Sequence, residues 1–264
     1  MQRINSLAAI GAAMLMLAGC WSQQDLKTEI IEDSENFALD SRSNDSLRVS
    51  ILIEYPVSGP KAEPLRKMQE NLVAAIFGEN HRSADPGQAI SDFKTDISGQ
   101  YRQDNLDILE YFSQMKESEG AENEDHSPML SWESRIDGRF LPPHGTLCSY
   151  IIYEYNYTGG AHGIDNETAI TFDMTSGEII SEEDIFINGF EEEMSKVLTA
   201  HLKDSFEAPE DYDMLFVKEI APNGNFYVTD TGVTYLYGRY EIGAYAIGLT
   251  RVTVPWAEIV NLLK

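Results

Sequence analysis

Tyr157-Thr158-Gly159-Gly160-Ala161-His162-Gly163, and later in the chain Tyr240-Glu241-Ile242-Gly243-Ala244-Tyr245-Ala246-Ile247-Gly248, decide how the rest is read. Both are dense in glycine and aromatic residues, a composition that suits backbone led along tight paths beside large side chains and fits no catalytic triad. Working outward, the first stretch closes a strand: from Cys148 to Tyr157, Tyr150, Ile152 and Glu154 alternate against Ile151, Tyr153 and Tyr155. Asn166 to Met174 reads as the next strand, turned by Thr175-Ser176-Gly177-Glu178. The second stretch follows a hairpin, Phe226 to Thr229 and Val233 to Tyr237 about a tight Asp230-Thr231-Gly232 turn, and precedes a last strand, Arg251 to Val254. Pro255 then stands at the first position of an expected closing helix carrying Ile259, Leu262 and Leu263.

Upstream, Arg48 to Val57 alternates, is rich in β-branched residues and reads as the first strand, stopped at Ser58-Gly59-Pro60. Leu65, Met68, Leu72 and Ile76 fall at helical spacing, with Gly78 placed to end the helix. Gln88 to Met115 is a second helical region and Lys116 to Ser127 an acidic loop, after which Leu130 to Ile136 turns to β pattern. Ser181-Glu182-Glu183-Asp184 is a helix start, and Phe190 to Phe206 an amphipathic helix with Met194, Val197, Leu198 and Leu202 on one side. Strands and helices come in runs, which predicts an α+β fold: a largely antiparallel sheet with helices packed on one face.

The first residues set the compartment. Arg3 and the apolar run Ile4 to Ala18 make a signal peptide, too short to span a bilayer, and Leu17-Ala18-Gly19-Cys20 matches a lipobox. Residues 1–19 are then removed and Cys20 is lipidated, which anchors the chain to a membrane of the bacterial envelope, the outer one in a Gram-negative cell. Residues 20–47, polar and acidic with little apolar periodicity, read as a tether; 48–128 and 129–264 read as an N-terminal module and a C-terminal domain packed as one unit. With Cys20 lipidated, Cys148 has no partner for a disulfide and reads as a small buried apolar residue.

The 264 residues hold 44 acidic against 19 basic side chains, a formal charge of −25. Such a field repels nucleic acid and anionic lipid, so the membrane is met through the anchor only and no nucleic acid is expected; it favours a basic partner, or simply keeps an exported protein soluble. The five histidines, His81, His126, His144, His162 and His201, show no metal-ligand spacing, and no metal or cofactor is expected. Thr171-Phe172-Asp173-Met174 echoes a polysaccharide deacetylase motif, but Met174 stands where the second acid would be. Gly-x-Ser-x-Gly is absent. A carboxylate pair for glycoside chemistry is not legible in so acidic a chain. The chain is read as a non-enzyme. His162 either meets a partner or, the expected role, bonds neighbouring backbone to hold the glycine-rich turn. Glu241 either meets a cation or anchors nearby amides. Tyr153, Tyr155 and Tyr157 either pack the sheet or stack on sugars.

Tyr157 to Gly163, Phe172-Asp173 with Gly177, Asp184-Ile185-Phe186, Phe226, Gly232-Val233, Tyr240-Glu241-Ile242, Tyr245-Ala246, Gly248 and Val252 to Pro255 together resemble the extracellular domain family found in the RsiV anti-sigma factor. The Ile53-Glu54-Tyr55-Pro56 strand and Phe93 to Tyr101 resemble the module that this family shares with the peptidoglycan deacetylase PdaC. The resemblance covers residues 48–264 and implies a stand-alone exported binding domain for lysozyme or another basic protein; the alternative is a peptidoglycan or glycan binder. It carries over neither anti-sigma activity nor deacetylase chemistry. Tyr157, Gly159, Gly160, His162, Gly163, Tyr240, Glu241 and Tyr245 are the candidate binding or loop-shaping residues.

Overall fold

The computed structural model of the protein describes residues 26–41, 43–59, 61–119 and 130–264. The signal peptide, Cys20, His126 and residues 120–129 of the expected acidic loop lie outside the described residues. Among the described residues nine strands form two sheets. The larger has the order β1 (Lys27–Ala38), β2 (Ser46–Ser58), β3 (Trp132–Phe140), β4 (Leu147–Tyr157), β5 (Ile164–Asp173) and β6 (Ile179–Ile180). The smaller has β7 (Phe226–Thr229), β8 (Gly232–Tyr237) and β9 (Thr250–Pro255). Every pairing is antiparallel except β2 with β3. A parallel pair needs a long crossover, and α1 (Ala62–Phe77) and α2 (Pro86–Glu119) supply it. The α+β expectation holds.

Alternation along β2 explains which face the helices cover. Leu47, Val49, Ile51 and Ile53 are all buried, packed with Met68, Leu72 and Ile76 of α1 and Ile90 and Tyr101 of α2. Each such side chain contributes about 1.5–3 kcal/mol by leaving water. α1 ends at Gly78, whose N–H bonds the Ala74 carbonyl at 2.9 Å. α2 starts with Pro86 at its first position and Asp85 accepting the Gln88 N–H at 3.2 Å. It runs unbroken to Glu119, so the helix takes in the first residues of the expected loop.

The tether reading is corrected by β1. Lys27–Ala38 pairs with β2 along its whole length, Ile31 opposite Ile53 and Phe37 opposite Leu47. The acidic composition hid this strand because only Ile31 and Phe37 mark its inner face. The two acids between them, Asp33 and Glu35, are both held at 2.8 Å by Lys94 of α2, a partner remote in sequence.

The smaller sheet has its own core. Phe186, Phe190, Met194, Leu198 and Leu202 pack with Tyr235, Val252 and Val254. They come from the approach to, and the body of, α4 (Glu191–Leu202); α3 (Glu182–Ile185) precedes it with the Ser181/Asp184 capping box foreseen from the sequence. The closing helix is corrected to two 3₁₀ turns, Trp256–Glu258 and Val260–Leu262. Tertiary pairing overrides the helical spacing there: Leu263 bridges Phe186, the Leu262 carbonyl takes the Ile187 N–H at 2.8 Å, and Trp256 Nε1 donates to Thr229 O at 2.8 Å.

The second face of the larger sheet is thus covered unevenly. Over β4 and β5 the smaller sheet sits directly on small side chains: the Ser149 hydroxyl accepts the Val228 N–H at 3.0 Å and shares a hydrogen bond with Thr171 at 2.9 Å. Over β1 to β3 this face is more open, and Leu52 there is 44 % exposed. Among the described residues no helix is long and apolar enough to cross a membrane.

Hydrogen exchange tests the added strand. Amides of β1 bonded to β2 should exchange with the slow class of the larger sheet, whereas a tether would exchange at the rate of an unfolded peptide.

Candidate functional site

The two glycine-rich segments meet. The first connects β4 to β5 and the second connects β8 to β9. Gly159 and Gly160 turn the first with φ of 92° and 99°, a region costly for a residue with a side chain, and Tyr157 closes the turn by donating its hydroxyl to Gly160 O at 2.9 Å. Gly163 is needed for another reason: a Cβ there would stand 2.5 Å from the Tyr155 ring. The Gly163 carbonyl accepts the Tyr245 hydroxyl at 2.8 Å and the His162 Nδ1–H at 3.0 Å, while the His162 and Tyr245 rings lie 4.3 Å apart. His162 thus bonds neighbouring backbone while its side chain stays exposed.

Arg239, just before the second segment, ties the two together. Its guanidinium pairs bidentately with Asp165, Nη2 to Oδ2 at 3.0 Å, donates Nη1 to Tyr245 O at 2.6 Å, and lies 4.2 Å from the centre of the Tyr245 ring. Its hydrogen bonds hold the Asp165 carboxyl below the usual carboxylate range. Glu241 accepts the Gly238 N–H at 2.6 Å and the Asn223 amide at 2.8 Å and so anchors nearby amides. Tyr240 sits 5.7 Å from Tyr245 at φ 64° and is 54 % exposed. Of the eight candidate residues, His162, Tyr240 and Glu241 have exposed side chains, and Tyr240 is the large apolar one among them.

A feature not foreseen in the sequence adjoins this cluster. Leu215 bridges Gly243 and the Phe216 N–H bonds Ile242 O at 2.9 Å. A Cβ on Gly243 would lie 3.0 Å from Leu215 Cδ2, so the glycine admits this crossing. Leu215 is buried, but Met214, Phe216 and Val217 beside it point outward, Phe216 at 64 % exposure. In sequence the ridge lies among the exposed acids Asp204, Glu207, Glu210, Asp213 and Glu219, while Lys218 is drawn back over the Tyr212 ring at 4.0 Å. The signal was four apolar residues, Met214 to Val217, inside an acid-rich run following the short helix α5 (Pro209–Asp213).

The other singled-out residues lie apart. His81 bonds Phe77 O, His144 meets Asp230, and His201 meets Glu258; among the described residues no three His, Cys, Asp or Glu side chains converge as a metal site would require. Cys148 is buried in the larger core, and desolvation pushes its thiol up to about 12. Partial burial of Asp173 is outweighed by hydrogen bonds from Thr175 and Ser176, which hold its carboxyl low and make it a turn residue.

Arg239→Gln should cost about 2 kcal/mol at neutral pH by stranding a largely buried carboxylate. Because Asp165 is depressed in the folded state, the stabilisation is present above its unfolded value of about 3.9 and is lost as pH falls through the lower folded value. Urea unfolding of wild type and variant should therefore converge in acid; a gap that is constant with pH would contradict the pairing.

Residues 183–257 match a family model described as a protein of unknown function, DUF3298. Among curated proteins none matches the sequence. A solved DUF3298 protein from Bacteroides fragilis NCTC 9343 is similar over 91 % of this chain and 94 % of its own, with 23 % identity and a TM-score of 0.78. Another, from Pseudomonas aeruginosa PAO1, is similar over 91 % of this chain and 95 % of its own, with 17 % identity and a TM-score of 0.61. The matched segment contains α4, the exposed ridge, the smaller sheet and the second glycine-rich segment. Residues 183–257 thus match the DUF3298 model, within a fold that the chain shares with solved DUF3298 proteins from Bacteroides fragilis and Pseudomonas aeruginosa.

Proposed function

We propose that this chain is an exported binding protein, lipid-anchored through Cys20 in the bacterial envelope, that docks a basic protein on the ridge of Met214, Phe216 and Val217. A c-type lysozyme is the first candidate, on the resemblance of the glycine-rich segments to the RsiV-type domain. The carrying observation is Phe216, 64 % exposed on a segment whose backbone is tied to Ile242. An apolar anchor on a pre-ordered loop within an acid-rich stretch of chain suits an interface hot spot, in which the centre supplies affinity and nearby acids speed encounter with a cationic partner. The formal charge of −25 adds long-range attraction of the same sign. The alternative of a sugar bound on the tyrosines of β4 has less support, because Tyr155 lies on Gly163 and Tyr157 is spent on Gly160.

Calorimetry of the soluble domain with a c-type lysozyme, at low and physiological salt, tests the reading. A complex is expected whose association slows as the screening length falls from about 8 Å at 0.15 M toward about 3 Å at 1 M. Phe216→Ser should weaken it by about 2 kcal/mol, roughly 30-fold, without lowering thermal stability. Absence of a complex at tens of micromolar in both buffers would remove lysozyme, and unchanged affinity in Phe216→Ser would remove the ridge.

A further inference from the structure

The more open half of the larger sheet holds a groove of about 380 Å³, within the size range of small-molecule sites. Pairing places Ile30 and Glu54 opposite each other, Leu52 opposite Asp137, and Arg139 opposite Ile151, all on the face away from the helices. Its apolar floor is therefore Ile30, Leu52 and Ile151, with Tyr153 as one wall.

The polar groups around this floor differ in what is left for a ligand. Glu54 already accepts the Thr28 hydroxyl at 2.5 Å and the Phe140 N–H at 2.9 Å. Asp137 is paired with Arg135 at 2.6 Å, and the Arg135 guanidinium lies 6.0 Å from the Tyr153 ring centre. Glu167 is gripped bidentately by Arg251 at 2.5 and 2.9 Å. Arg139 is exposed and has no hydrogen-bond or ion-pair partner among the described residues, although acids outnumber bases by 44 to 19 in the chain. A guanidinium offers five donors in a planar fork that matches a carboxylate.

From an apolar floor whose acids are all committed and whose open ionic valence is one guanidinium, we infer that this groove binds a single-chain amphipathic carboxylate of the fatty-acid class. The acyl chain lies on Ile30, Leu52 and Ile151 and the carboxylate meets Arg139. Charge also selects the head group: the −25 field of the chain opposes a doubly charged phosphate more than a monoanion, and Arg139 opposes a cationic amphiphile. This site stands apart from the protein-docking ridge and does not depend on it.

Calorimetric titration of the soluble domain with decanoate, decyl maltoside and decyltrimethylammonium, each below its micelle concentration, decides the matter. Decanoate should bind one per chain, Arg139→Gln should weaken it by about tenfold or more through loss of the charge-assisted pair, and Leu52→Glu should abolish it. Arg139→Gln should leave thermal stability unchanged, since it breaks no described contact. Equal binding of the neutral or cationic amphiphile, no effect of Arg139→Gln, or no decanoate binding at all would overturn the site. Cosedimentation with phosphatidylglycerol vesicles in the absence of decanoate binding would also overturn it, by showing a bilayer surface to be the ligand instead.

Discussion

The structure depends on one polar side chain that lets two sheets share an edge. β6 pairs with β5 only at Thr171 and Phe172, which leaves the rest of the outer edge of β5 without a strand. Asn225 fills the gap: its Oδ1 accepts the Ala169 N–H and its Nδ2 donates to Glu167 O, both at 2.8 Å, while its own carbonyl takes the Leu236 N–H at 2.8 Å. A side-chain amide thus does for β5 what another strand residue would do, and fastens the start of β7 to it. Edges left open invite pairing with other chains; here the edge is closed by the sheet that must dock there. Ser149 and the Glu167 to Arg251 pair extend the seam along the same face.

With the seam fixed, the glycine-rich segments have only one way to run. Each connects strands at the same end of the seam, and each must let large rings pass. The glycines there give room to side chains: Gly163 to the Tyr155 ring, and Gly243 to Leu215. Their carbonyls are then used, as when Gly163 O receives the Tyr245 hydroxyl. Charge follows the same economy of position. Arg239 to Asp165 and Lys94 to Asp33 and Glu35 spend cations where acids would otherwise be partly buried and alone.

Much of this was legible in the sequence because it rests on local physics. The β4 and β5 alternation, the β7 to β8 turn, the Ser181/Asp184 cap and the Gly78 stop each need only nearby residues, whereas the meeting of the two glycine and aromatic stretches was not legible. What was hidden depends on partners far away in the chain. β1 was hidden because Lys94 neutralises acids that made it look like a tether. The closing helix was overridden because Leu262 and Leu263 bond to residues 186 and 187. Asn225 and Arg239 were passed over because a lone polar residue carries no pattern until the fold supplies its acceptor. Phe216 was visible as an apolar residue, but its exposure was not.

The central claim is that the two sheets form one cooperative unit fastened by Asn225. The direct measurement is equilibrium urea unfolding of wild type and Asn225→Ala, followed together by tryptophan fluorescence and far-ultraviolet circular dichroism. The account predicts coincident single transitions for wild type and a loss of about 2 kcal/mol or more in the variant, because the Ala169 N–H and the Glu167 carbonyl lose their partner where water is largely excluded. Separate transitions for the two signals in wild type, or an unchanged midpoint in Asn225→Ala, would contradict it.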